Sequence, residues 1–119
     1  MNPQEKPVFV QGTYNFKGKG LEAPTPVVGL AYTVPRGTKS KLVYFRAGQS
    51  SDEMISLILL RDKKVMRLFP IGMKSAMHFP LAVTEDLPAD SHLELQIAAP
   101  EGTVGTIYVD LGFIESGPV

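Results

Sequence analysis

The chain contains no cysteine, no tryptophan and only two histidines. Without cysteine there is no disulfide, no thiolate nucleophile and no thiolate metal site, which removes cysteine enzymes, zinc ribbons and redox switches together. His78 and His92 cannot supply a three-histidine metal centre, and no His-x-His pair exists. Charge of one sign is also missing. Twelve basic residues balance twelve acidic ones, so the strongly basic signature of a nucleic-acid-binding domain is absent and no nucleic-acid partner is expected. Long apolar runs are lacking too: the longest, Ile55 to Leu60, is six residues interrupted by Ser56. A spanning helix needs roughly 20, so no membrane partner is expected. The polar start Met1-Asn2-Pro3-Gln4-Glu5-Lys6-Pro7 leads into no apolar run of signal-peptide length. Together with the initiating Met, this points to a cytoplasmic product or one assembled into a particle there.

What is present is punctuation. Eleven Gly and ten Pro interrupt the 119 residues about every ten positions, a spacing that suits short strands and turns. Pro7 to Gln11 reads as a strand ending at Gly12, residues 15 to 24 as a mobile loop, and Thr25 to Val34 as a second strand stopped by Pro35-Arg36-Gly37-Thr38. From Lys41 to Ala47 apolar and polar residues alternate with period two. Gln49 to Glu53 is a polar loop, and Met54 to Leu60 is apolar on both faces. Arg61-Asp62-Lys63-Lys64 reads as a hairpin turn into Val65 to Phe69. Ala76 to Val83, His92 to Ala98 and Val104 to Glu115 complete eight strands. No window of twelve residues escapes both Gly or Pro and a strand-like alternation, so helix has no place.

One domain's length, with no internal repeat, gives a single domain over residues 1–119. The fold expected is all-β: an antiparallel β-sandwich of jelly-roll type with about eight short strands. Its core should include Val8, Val10, Val43, Phe45, Ile55, Leu57, Leu59, Leu68, Phe79 and Leu81, with Leu93, Leu95, Ile97, Ile107, Val109, Leu111 and Phe113 from the last two strands. Residues 1 to 50 carry seven basic and two acidic side chains, and residues 51 to 119 carry five and ten. Interleaved strands would cancel that split in space; otherwise it would favour head-to-tail assembly.

Catalytic patterns fail when tested. Five residues separate Gly12 from Gly18 and Lys19 precedes Gly20, so no phosphate loop is formed. No serine sits in a nucleophile elbow. A two-histidine metal site would need His78 and His92 to converge with Glu94 or Asp110, yet both alternate away from the apolar positions of their strands. Met66, Met73 and Met77 are better read as packing than as copper ligands. Glu85, Asp86 and Asp90 form an acidic loop that fits no EF-hand. The chain is therefore expected to be no enzyme and to use no metal or cofactor.

Two surfaces remain. Projecting the alternation outward gives a polar-aromatic face of Tyr44, Arg46, His92, Glu94, Gln96, Tyr108 and Asp110, provided their strands are neighbours. Rings flanked by amides and carboxylates suit a carbohydrate ligand. The second is the strand Met54 to Leu60, whose Met54, Ile58 and Leu60 face away from Ile55, Leu57 and Leu59 and so need a cover. The expectation is a non-catalytic interaction module, a homo-oligomer or part of a larger assembly; carbohydrate binding is the alternative, and a small two-histidine metal protein stands third.

Overall fold

The computed structural model describes residues 4–117, with the side chains at positions 79, 82 and 83 outside the description. Eight strands are formed: β1 (Glu5–Lys17), β2 (Gly20–Thr33), β3 (Lys39–Gln49), β4 (Ile55–Arg61), β5 (Lys64–Ile71), β6 (Ala76–Leu87), β7 (His92–Ala99) and β8 (Val104–Ser116). They build a front sheet in the order β1-β8-β3-β6 and a back sheet in the order β2-β7-β4-β5, with every pairing antiparallel. Consecutive strands change sheet at every step except β4 to β5. That alternation makes the sandwich a jelly roll, as expected.

Period-two patterning drives the packing, because each strand buries one face. Ile107, Val109, Leu111 and Phe113 of β8 enter the core from the front, and Leu93, Leu95 and Ile97 of β7 together with Ile55, Leu57 and Leu59 of β4 enter from the back. Phe45 of β3 and Phe69 of β5 stack across the two sheets, with ring centroids 3.9 Å apart. Both expected turns are found. Thr38 N–H donates to the Pro35 carbonyl over a positive φ at Gly37. Asp62 and Lys63, at φ 50° and 68°, make the two-residue type I′ hairpin between β4 and β5.

Bulges account for the departures in the core. β3 carries one extra residue, Val43, opposite β8, since Leu42 pairs with Phe113 and Tyr44 with Gly112. The strand changes phase there, so Leu42 enters the core and Val43 is half-buried. Counted straight from the Asp62-Lys63 turn, the hairpin would set Leu68 against Leu57 and bury it. An extra residue at Met66 shifts the register, pairing Leu57 with Phe69 and Ile58 with Leu68. Phe69 is buried and Leu68 is 61% exposed, which corrects the placement of Leu68 in the core. Val8, Val10 and Leu81 are half-buried against the core, and the Phe79 side chain lies outside the described residues.

Residues 15 to 24 are not a loop. β1 runs through Gly12 to Lys17, paired with β8 along its whole length, and only Gly18 and Lys19 separate it from β2. Gly18 packs so tightly on the Pro100 and Ala99 carbonyls that a side chain there would collide with them. Likewise β6 continues through Glu85 to Leu87, so the expected acidic loop is mostly strand. The uneven charge distribution does cancel in space: Lys6–Glu115, Arg36–Asp90, Lys41–Asp86 and Arg46–Asp110 each join one half of the sequence to the other.

The two aromatic rings that bridge the layers and the leucine that was shifted outward give a direct test. Phe69→Ala should lower unfolding free energy by about 3–5 kcal/mol, whereas Leu68→Ala should cost about 0.5 kcal/mol, as read by urea denaturation.

Candidate functional site

On the outer face of the front sheet, strand register places residues side by side. One row reads Gln11, Asp110, Arg46, His78; the row on one side reads Thr13, Tyr108, Gly48, Ala76, and on the other Phe9, Gly112, Tyr44, Pro80. Asp110 is the hub. Its Oδ1 accepts from the Tyr44 hydroxyl at 2.9 Å and from Gln11 Nε2 at 3.0 Å, and its Oδ2 accepts from Arg46 Nη2 at 2.6 Å. The Arg46 guanidinium also lies 5.8 Å from the centre of the Tyr44 ring, within cation–π range.

Glycine makes this arrangement possible. A Cβ at Gly112 would fall inside the Tyr44 ring, so only glycine lets that ring lie across β8 and aim its hydroxyl at Asp110. Partial burial would raise the Asp110 pKa, but the donors Arg46, Gln11 and Tyr44 outweigh it and hold the carboxyl below its ordinary 3.8. The Tyr44 phenol is pushed up, first by desolvation and then by its bond to Asp110. With both oxygens engaged and its side chain only 15% exposed, Asp110 serves as a brace that fixes three neighbouring side chains.

Around this rigid centre stand two exposed rings, Phe9 at 57% and Tyr108 at 52%. Positions 108 and 112 are about 13 Å apart along β8, so the rings of Tyr108 and of Phe9, beside Gly112, bracket the polar row. A shallow hollow of about 630 Å³ lies next to it, lined by Gln11, Thr13, Arg46, Gly48, Tyr108 and Asp110 among others. A larger hollow of about 770 Å³ at one end of the sandwich is lined by Gln4, Glu5, Lys39, Lys41, Asp86 and neighbours, with no aromatic group among the described residues.

The expected seven-residue face is divided by this topology. Tyr44, Arg46, Tyr108 and Asp110 are brought together on the front sheet, while His92, Glu94 and Gln96 lie on β7 in the back sheet, on the opposite side of the molecule. Phe9, Gln11 and Gly112 were missed. Their signal was the pairing of β1 with β8, which no local pattern announces. The two histidines do not converge either, since His78 is on β6 at the front and His92 on β7 at the back. His92 contacts Thr33 Oγ1 at 2.7 Å through Nδ1 and Glu94 at 3.8 Å through Nε2. Among the described residues no three metal-ligating side chains gather. Glu85 is engaged by Arg67 at 2.6 Å, Asp86 by Lys41 and Asp90 by Arg36.

The outer face of the back sheet has a different chemistry. Its central row is Pro26, Gln96, Ile58, Leu68, with Glu94, Leu60 and Val65 beside it. Ile58 and Leu60 point away from the core as expected but are each only 9% exposed, because they and Ala98 form a separate buried cluster. The open apolar surface lies beside them, at Val65 (62%), Leu68 and Met54.

No protein-family model matches the chain, and no curated protein matches it. Solved structures do share its fold. The CBM36-1 domain of a multidomain xylanase from the hindgut metagenome of Trinervitermes trinervoides is similar over 96% of this chain and 100% of that one, with TM-score 0.52 and 12% identity. A chain from Bacillus endospore appendages, described as a novel family of disulfide-linked pili, is similar over 100% of this chain and 95% of that one, with TM-score 0.50 and 8% identity. At these identities the likeness is one of fold: a β-sandwich shared with a carbohydrate-binding-module domain and a pilus protein. This chain has no cysteine, so the disulfide links named for the appendages are closed to it.

The lowered pKa of Asp110 has a measurable sign. Its carboxylate stabilises the fold fully above pH 3.8, and that contribution is lost as pH falls through the lower folded-state value. Calorimetric melting followed from neutrality to about pH 3 should therefore show a steeper acid decline in the native chain than in Asp110→Asn.

Proposed function

We propose that the chain is a non-catalytic interaction module that docks to protein through the outer face of its back sheet. The carrying observation is the two-faced strand β4. Its inner face fills the core with Ile55, Leu57 and Leu59, and its outer residues Ile58 and Leu60 pack with Ala98 beside an apolar surface exposed at Val65 and Leu68. Apolar area left in water forgoes roughly 25 cal/mol per Å² of burial, and a partner recovers it. Likeness of fold to a chain from appendages that form pili supports the reading. Hydroxyl-radical footprinting checks it: Met54, Val65 and Leu68 should label strongly in dilute purified protein and several-fold less inside the cell that makes it. Equal labelling in both would reject the assembly role of this face.

A second reading rests on the braced front face. Phe9 and Tyr108 offer ring faces to the C–H surface of a sugar, and Gln11, Thr13 and Arg46 offer hydrogen bonds to hydroxyls, with the ion pair of Arg46 and Asp110 keeping the centre near neutral. The shared fold with a carbohydrate-binding-module domain supports it. Calorimetric titration with soluble neutral polysaccharides tests the idea; Tyr108→Ala should weaken binding at least tenfold, about 1.4 kcal/mol, without altering melting. Absence of binding, or binding indifferent to Tyr108→Ala, removes it.

A further inference from the structure

We infer that the two hollows on the front sheet are the ends of one trough along β8, and that the trough holds an internal stretch of a linear, uncharged polysaccharide. The inference rests on reading this face as a carbohydrate site, and adds a second subsite and the direction of the chain.

Both hollows lie over the same three strands. The one beside Asp110 takes its lining from Gln11 and Thr13 of β1, Tyr108 of β8, and Arg46 and Gly48 of β3. The larger one is lined by Glu5 of β1, Ile114 and Ser116 of β8, and Lys39 and Lys41 of β3. Register sets Ile114 between Pro7 and Lys41, and Ser116 between Glu5 and Lys39. These residues therefore continue the outward rows that begin at Tyr108. From Tyr108 to Ser116 the strand runs about 26 Å, so a ligand that fills the trough is a chain of several sugars.

The middle of the trough is a platform. With no side chain at Gly112 beneath it, the Tyr44 ring lies low across β8, part-buried, with exposed Phe9 on the other flank of Gly112. Rows of rings thus alternate with rows of hydrogen-bonding groups: Tyr108, then Asp110 with Gln11 and Arg46, then Tyr44 with Phe9, then Lys41, then Ser116 with Lys39. Sugar rings carry apolar C–H faces and hydroxyl-bearing edges, which such rows meet in turn.

Charge and strand pairing exclude other occupants. Arg46 meets Asp110 at 2.6 Å, Lys41 meets Asp86 at 3.9 Å, and Glu5 and Lys39 flank Ser116 from opposite sides, so the trough favours neither anion nor cation. Both β8 and β3 are bonded on each flank, so along their length an extended peptide finds no free main-chain N–H or C=O to pair with. Small residues flank both ends: Gly48 and Ala76 beside Tyr108, and Ser116 and Gly117 at the larger hollow. A chain can therefore run on past either end, and its interior is what binds.

Calorimetric titration of the intact protein with cello-, manno- and xylo-oligosaccharides, from trisaccharide to octasaccharide, tests this. In at least one series the association constant should climb more than tenfold with length. Lys39→Ala with Lys41→Ala, both exposed sites where circular dichroism verifies folding, should weaken the octasaccharide several-fold and leave the trisaccharide unchanged. Borohydride reduction of the octasaccharide's terminal sugar should alter its affinity less than twofold. Binding that needs Tyr108 but is equal at every length and indifferent to the lysine pair overturns the trough and leaves the site beside Asp110 standing. Affinity lost on reduction overturns the internal mode, because the chain end is then the ligand. No binding in any series overturns the inference, and the carbohydrate reading falls with it when the parent polysaccharides also fail to bind.

Discussion

Pairing of β8 on both flanks constrains most of what this molecule can do. With β1 on one side and β3 on the other, its inward residues are committed to the core and its outward residues are held between two rows of neighbours. Asp110 thereby receives Gln11 from one flank and Tyr44 and Arg46 from the other, at distances that a flexible loop would not maintain. The same pairing explains why a glycine occupies position 112: an adjacent aromatic ring needs the space above the backbone. The polar centre of the front face is therefore a property of the sheet, and its rigidity comes from hydrogen bonds on every side.

The two outer faces divide the chemistry between them. The front offers rings beside a neutralised ion pair, suited to a ligand rich in hydroxyls. The back offers aliphatic side chains, Val65 and Leu68 foremost, with Glu94 beside the central row. Nothing in the fold obliges a choice between them, since the two faces belong to opposite sheets.

How much of this was legible in the sequence follows from the range of the interactions. Alternation is local, and it correctly placed Phe45, Ile107, Val109, Leu111 and Phe113 inside and Tyr44, Arg46, Tyr108 and Asp110 outside. Bulges are local too but silent, because an extra residue at Val43 or Met66 leaves no compositional trace while reversing the phase beyond it. Leu68 was misplaced for that reason. Strand neighbours are not local at all. The proposed ligand face assumed that β7 adjoins β8, and the jelly roll sends them to opposite sheets, taking His92, Glu94 and Gln96 with β7. Phe9 and Gln11 could be added only once β1 was known to lie beside β8.

The order of strands along the chain also dictates the order in which structure can appear. β1 has β8 as its sheet partner, so residues such as Lys6 wait for Glu115 more than a hundred positions later. Loop closure over such spans is slow, and sandwiches of high contact order fold in milliseconds to seconds. Because β8 also separates β1 from β3, the front sheet has no centre until that segment has left the ribosome. The β4–β5 hairpin of the back sheet closes over two residues and can form earlier, before its neighbour β7 and the centre of the front sheet have been made.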